Sequence, residues 1–183
     1  HYNYWSLTSL INFFNKFNST IYKVERINTH GGSIRIYIKK GKKIKIENNV
    51  KKLLKEEENF GIKNYKTYQV FGEKINQLKE NVIKNINELK KNNKQIVGFG
   101  APAKATTALN FFGISDQIDY VIEDNKLKHN KFIPGVLMPI KSKKNLKKKN
   151  SLILVLAWNF FKEIKKNNLN LSSKFVNIKE LEG

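Results

Sequence analysis

Apolar side chains at Leu7, Leu10, Ile11, Phe14 and Phe17 recur at a three-four spacing, which predicts an amphipathic helix from Tyr4 to Phe17. The period then changes. Ile21–Ile27 (IYKVERI) and Ser33–Lys39 (SIRIYIK) alternate apolar and polar residues, as half-buried strands do. Between them Asn28-Thr29-His30-Gly31-Gly32 has turn-forming composition, so an antiparallel pair is expected. Gly41–Glu47 reads as a basic connector and Val50–Asn59 as a short helix closed by Gly61. Tyr68, Phe71, Ile75, Leu78, Val82, Ile86 and Leu89 predict a long helix from Tyr65 to about Lys91.

Beyond Lys91 the pattern becomes an alternation. Short apolar runs at Ile96–Phe99, Ile118–Ile122, Ser151–Ala157 and Lys174–Ile178 are strand candidates, and Thr106–Phe112 and Trp158–Lys166 read as helices. Ser151–Ala157 (SLILVLA) is almost continuously apolar, which suits a strand buried on both faces. Strands alternating with helices argue for an α/β domain with a parallel sheet and right-handed crossovers. Asn125–Lys149, with Pro134-Gly135 and Pro139, reads as a long Lys-rich connection of the kind that often carries function.

Composition narrows the chemistry. The 183 residues contain no Cys, which removes disulfides, thiolate zinc sites and cysteine nucleophiles. Three widely spaced His give no metal-ligand spacing, and no G-x-S-x-G elbow supports a serine nucleophile. No run of about 18 apolar residues exists, so no membrane partner is expected. The first residues lack a basic targeting region, which makes a cytoplasmic location the default expectation.

The formal charge of +20 invites a nucleic-acid or polyanion reading. Of 35 basic residues, however, only Arg26 and Arg35 are Arg, the residue that base readout and bidentate phosphate clamps favour. Asn (25) and Ile (21) are inflated along with Lys, and the lysines are spread along the whole chain. The charge therefore reads as a solvated surface of biased composition, and no nucleic-acid partner is expected. A positive field would still draw phosphorylated small molecules.

The sharpest local signal is Val97-Gly98-Phe99-Gly100-Ala101-Pro102-Ala103-Lys104, in which Gly98, Gly100 and Ala103 satisfy G-x-G-x-x-A between a predicted strand and a predicted helix. Glycines there permit a tight turn and close backbone approach, and a helix N-terminus offers N–H groups to phosphate. Asp124, 24 residues after Gly100 at the end of the next strand, stands where a ribose-binding carboxylate is expected. The alternative is that the glycines only allow close helix–sheet packing. Pro102 suits a first helical turn but removes one phosphate donor.

His30-Gly31-Gly32-Ser33 with Arg35 is a second candidate ligand loop, against the reading of an ordinary hairpin turn. His1 and Tyr4 form a third, a base beside a phenol, against the reading of an incidental terminal histidine, and His129 in the Lys-rich connection has the same incidental alternative. Asn159 and Trp158, at the carboxyl end of the apolar strand, are candidate pocket walls or, alternatively, core and helix cap.

Six segments in order carry a resemblance: H-x-x-Y-W-S-L from His1, T-H-G-G-S-I-R-I-Y from Thr29, G-F-G-A-P-A-K-A-T-T from Gly98, I-E-D-N-K-L-K from Ile122, F-I-P-G-V-x-x-P-I from Phe132 and L-V-L-A-W-N-F from Leu154. Together they resemble the C-terminal region of S-adenosylmethionine-dependent sugar C-methyltransferases, which methylate nucleotide-linked deoxyketosugars. The resemblance implies that residues 1–47 are the last helix and strand pair of a SAM-binding methyltransferase domain. It implies that residues 48–183 form a Rossmann-like C-terminal domain. His1 then looks like the family's proposed general base, with Tyr4 beside it. His30, Gly31, Gly32, Ser33 and Arg35, together with Gly100, Ala101, Pro102, Lys104, Asp124 and Asn159, would face the nucleotide-sugar substrate. Ala105 stands where the family typically has Gly. S-adenosylmethionine is implied as cofactor of the complete enzyme but not as a ligand of this chain, since the glycine-rich SAM loop and the zinc cysteines are absent from it. The partners implied are the N-terminal SAM-binding and zinc-binding domains, and the chain alone is expected to be inactive. A stand-alone nucleotide-sugar or dinucleotide-binding module is the competing reading.

Overall fold

A computed structural model describes residues 3–29, 31–93, 95–146, 151–171 and 174–183. His1 and His30 lie outside the described residues. Packing divides the chain into two compact units, His1–Gly72 and Glu73–Gly183, with the division inside one long helix.

The first unit begins with α1 (Leu7–Asn15), shorter at both ends than the predicted span Tyr4–Phe17. Ser6 and Ser9 form a capping box, and the carboxylate of Glu57, 50 residues away, accepts the Leu7 and Thr8 N–H groups at 2.6 and 2.8 Å. The first N–H groups of a helix have no partner within it, so these acceptors set where α1 starts. Strands β1 (Ser19–Ile27) and β2 (Ser33–Lys40) pair antiparallel, with a register shift at Tyr22 that lets Ile21 and Val24 both turn inward. Helix α2 (Asn48–Phe60) ends at Gly61, whose φ of +79° suits glycine and whose N–H returns to the Glu57 and Glu58 carbonyls. Leu7, Ile21, Val24, Val50 and Leu53 make the core. Because α2 buries Val50 and Leu53 against the residues before it, the compact unit extends past Glu47 to Gly72, a different division from the domain boundary expected at 47/48.

Helix α3 (Tyr65–Asn92) matches its predicted span and leads into the second unit. Six strands form one sheet: β3 (Gln95–Phe99), β4 (Tyr120–Ile122), β5 (Lys131–Ile133), β6 (Met138–Lys141), β7 (Ser151–Val155) and β8 (Lys174–Asn177). Their spatial order is β5-β6-β4-β3-β7-β8, parallel throughout except for β5. Helix α4 (Ala103–Phe112) joins β3 to β4, and α5 (Phe161–Asn167) joins β7 to β8.

The two faces of the sheet carry separate cores. Leu152, Leu154 and Leu156 point to one, with Ala105 and Leu109 of α4 and Val82 and Ile86 of α3. Ile153 and Val155 point to the other, with Val97, Phe99, Phe175 and the flanking Phe161 and Ile164 of α5. A strand covered on both sides has no polar positions to alternate, which explains the unbroken apolar run at 152–157. Among the described residues no helix is long and apolar enough to cross a membrane.

The connection expected over residues 125–149 contains an edge hairpin, β5–β6, turned at Pro134-Gly135 with Leu137 at φ +50°. Its strands, KFI and MPIK, are too short to show a period.

Candidate functional site

Counted along the chain, the parallel strands stand in the order third-second-first-fourth-fifth: β6, β4, β3, β7, β8. Winding proceeds from β3 in one direction, then resumes on its other side at β7. Crossovers leave the sheet in opposite directions there, so the carboxyl ends of β3 and β7 open a crevice, the usual ligand position in such sheets. A cleft of about 540 Å³ occupies that place, bounded by Phe99 at the end of β3 and Gly100 after it, Glu123 and Asp124 after β4, Ala157 after β7, and Ile164 and Asn168 on or just past α5.

The glycine-rich turn forms the floor. Gly100 sits at φ +90°, and a Cβ there would lie 2.8 Å from the Ala157 Cβ. Gly98 has ordinary φ, but its Cβ would meet Val121 Cγ2 at 2.8 Å and Leu156 Cδ1 at 3.0 Å. Gly98 is thus required by packing between strands, and Gly100 by both the turn and the close approach of β7.

Glu123, the first residue past β4, ties this floor together. Its Oε2 accepts the Ala101 N–H at 2.9 Å, and its Oε1 accepts the Asp124 and Asn125 N–H groups at 2.9 and 3.1 Å. Lys128 Nζ lies 3.5 Å from Oε2 and donates to the Ala101 carbonyl at 2.9 Å. Burial alone would push this carboxyl up, but the Ala101, Asn125 and Asp124 amides and the Lys128 ammonium together hold it below the usual carboxylate range. It is therefore ionised at neutral pH and acts as a clamp between strand end and turn.

Asp124 is exposed and lies 2.6 Å from Lys143 Nζ. Lys143, in a short 3₁₀ turn after β6, also donates to Asn168 Oδ1 at 2.9 Å and lies 5.7 Å over the Phe99 ring.

The residues marked in the sequence thus separate. Gly100, Pro102 and Asp124 line the cleft, and Ala101 contributes its N–H to Glu123. Lys104 stacks its ammonium 4.7 Å over Trp158, and Asn159 is exposed in the 3₁₀ turn Trp158–Phe160. His129 hydrogen-bonds through Nε2 to the Glu123 carbonyl at 2.8 Å.

Gly31, Gly32, Ser33 and Arg35 belong to the first unit. Gly31 and Gly32 adopt φ of +87° and +120° with open space around them, and Gly32 N–H and Ser33 Oγ both donate to the Thr29 carbonyl. Arg35 lies 3.7 Å from Glu25, in a cross-strand cluster with Lys23 and Tyr37. Tyr4 is exposed.

Glu123, Lys128, Lys143 and Asn168 escaped the sequence reading. For Glu123 the signal was present, since it directly follows the strand; Asn168 and Lys143 come together only through the fold. Among the described residues no three His, Asp or Glu gather as metal ligands.

Comparison with known proteins gives two findings. A model for the C-methyltransferase C-terminal domain matches residues 28–177. The C-methyltransferase NovU of Streptomyces niveus is 28% identical over 167 residues, covering 90% of this chain and 40% of that protein. The chain thus spans well under half the length of that relative.

Proposed function

Because the chain belongs to the C-methyltransferase C-terminal domain family, we propose that it is the substrate-side portion of an S-adenosylmethionine-dependent sugar C-methyltransferase, with the cleft at Gly100 holding part of a nucleotide-linked ketosugar. The observation that carries this reading is the cleft's place at the winding reversal of the mostly parallel sheet. Lysines in that cleft suit the diphosphate of such a substrate.

The methyl donor supplies an electrophilic methyl group when bound. Support for a donor site within this chain is lacking: a sulfonium would meet Lys128 and Lys143 in the cleft, and Glu123 already accepts three backbone N–H groups. This chain's tasks are then to bind the sugar nucleotide and to contribute His1 as the base that removes the proton beside the ketone, with Tyr4 as the accompanying phenol. By the resemblance, residues 1–47 are assigned to the end of the donor-binding domain and residues 48–183 to the C-terminal domain, while the family model begins at residue 28 and the packing unit runs to Gly72. Exposed aromatic rings on and beside α1 (Trp5, Phe13 and Phe17, with centroids 5.8 and 5.1 Å apart) support a cover from that larger domain. A stand-alone dinucleotide site is less well supported, since the Ala101 N–H is committed to Glu123 and Pro102 has none.

Thermal-shift titration of the 183-residue chain with a nucleotide-sugar, NAD, S-adenosylmethionine and duplex DNA at about 150 mM salt tests the assignment. Stabilisation by the nucleotide-sugar alone is expected, with no methyl transfer until the donor-binding domain is supplied. Tight S-adenosylmethionine uptake, or turnover by the chain alone, would refute it.

A further inference from the structure

The amides of Gly100 and Ala101 have little left to give an anion. Gly100 N–H goes to the Ile122 carbonyl at 2.9 Å, Ala101 N–H goes to Glu123, Pro102 has none, and Lys104 lies on Trp158. Lys143 is placed differently. Asn168 is only 4% exposed, and its Nδ2 donates to the Ile164 carbonyl at 2.8 Å. That bond fixes the amide, so its Oδ1 is presented to the Lys143 ammonium. A buried amide oxygen used in this way sets the position of a lysine head group. Asp124, the other acceptor, is exposed, and pairs of that kind contribute little in water. A phosphate carries more charge and more acceptor oxygens than a carboxylate. It can replace Asp124 at Lys143 while the Asn168 contact stays intact, and the ammonium has a third proton that neither acceptor uses.

We propose that Lys143 is the residue that recognises the phosphate of a nucleoside diphosphate group in this cleft, positioned by Asn168 and held by Asp124 until the ligand displaces that carboxylate. The proposal rests on the nucleotide-sugar reading above and specifies which group takes the ligand's charge: a lysine beyond the third parallel strand rather than the amides of the glycine-rich turn.

Isothermal titration of the chain with UDP and ADP, beside uridine and adenosine, tests it. Wild type is expected to bind a diphosphate more tightly than its nucleoside. Lys143→Ala should weaken the diphosphate by about tenfold or more, close to 1.4 kcal/mol, and leave the nucleoside unchanged. Asp124→Asn should tighten the diphosphate several-fold by freeing the ammonium. A second readout needs no variant: the Asn168 side-chain amide resonances should shift when UDP is titrated into labelled wild type, because their partner's environment changes. Diphosphate affinity unchanged in Lys143→Ala, weakened binding in Asp124→Asn, or a silent Asn168 during saturation would overturn the role of Lys143 while leaving the nucleotide reading intact. No binding of any of the four ligands to wild type would overturn that reading itself.

Discussion

Adding one methyl group at Gly100 tests whether the floor of the cleft is set by backbone geometry. Two costs add in Gly100→Ala. The residue sits at φ +90°, where a side chain is strained by about 1–2 kcal/mol. The new Cβ would also lie 2.8 Å from the Ala157 Cβ, a contact with no flexible atom to yield, and overpacking of this kind costs about 1–3 kcal/mol. A loss of about 2–5 kcal/mol follows, a large share of the 5–15 kcal/mol that typically stabilises a domain. Ala157→Gly removes the clash but not the strain, so the double variant should recover the overpacking part and the cycle should show a coupling of about 1–3 kcal/mol. Gly98→Ala is the control. Its φ is ordinary and its contacts are Val121 and Leu156, so Ala157→Gly should not rescue it. Urea unfolding followed by Trp158 fluorescence in a Trp5→Phe background measures each variant, since those are the chain's two tryptophans. A Gly100→Ala variant within about 0.5 kcal/mol of its parent, or a cycle with no coupling, would refute the reasoning.

Two further outcomes follow from the carboxylates. Glu123 has its folded pKa lowered, so its contribution to stability is full above the ordinary carboxylate range and is lost as pH falls through the lowered value. Glu123→Gln should therefore flatten acid unfolding below about pH 4.5 and cost about 1–2 kcal/mol at pH 7, read from urea midpoints at several pH values; an unchanged acid limb would count against the clamp. Glu57→Ala should strip α1 of its distant cap at a cost of about 1–2 kcal/mol, seen as faster hydrogen exchange at Leu7 and Thr8. Protection unchanged at those two amides would show that the Ser6–Ser9 box suffices.

Much of the fold was legible because periodicity reports burial. The stripe from Tyr68 to Leu89 gave α3 almost to the residue, and SLILVLA gave the central strand β7. Element ends were less legible: α4 begins at Ala103 rather than Thr106, directly after the extended Pro102 and without a side-chain cap. Hairpin β5–β6 was missed since three- and four-residue strands show no period, and Pro139 argued against one. In the cleft, G-x-G-x-x-A located the floor. The Ala101 N–H that looked available for phosphate belongs to Glu123. Asp124 lines the cleft beside Glu123, and Lys143 with Asn168 is a pairing across 25 positions that no local pattern announces.

The placement of β7 has a bearing on biosynthesis. This strand sits between β3 and β8, yet it is made more than fifty residues after β3. A nascent chain released only as far as β6 presents β3 with one edge open and with Val97 and Phe99 uncovered by Ile153, Val155 and Phe175. Open strand edges beside bare apolar surface are what chaperones intercept and what seeds aggregation. Translation pausing before Ser151 should thus be the most hazardous interval in the life of this polypeptide, and a C-terminal truncation there should yield insoluble material rather than a smaller folded domain.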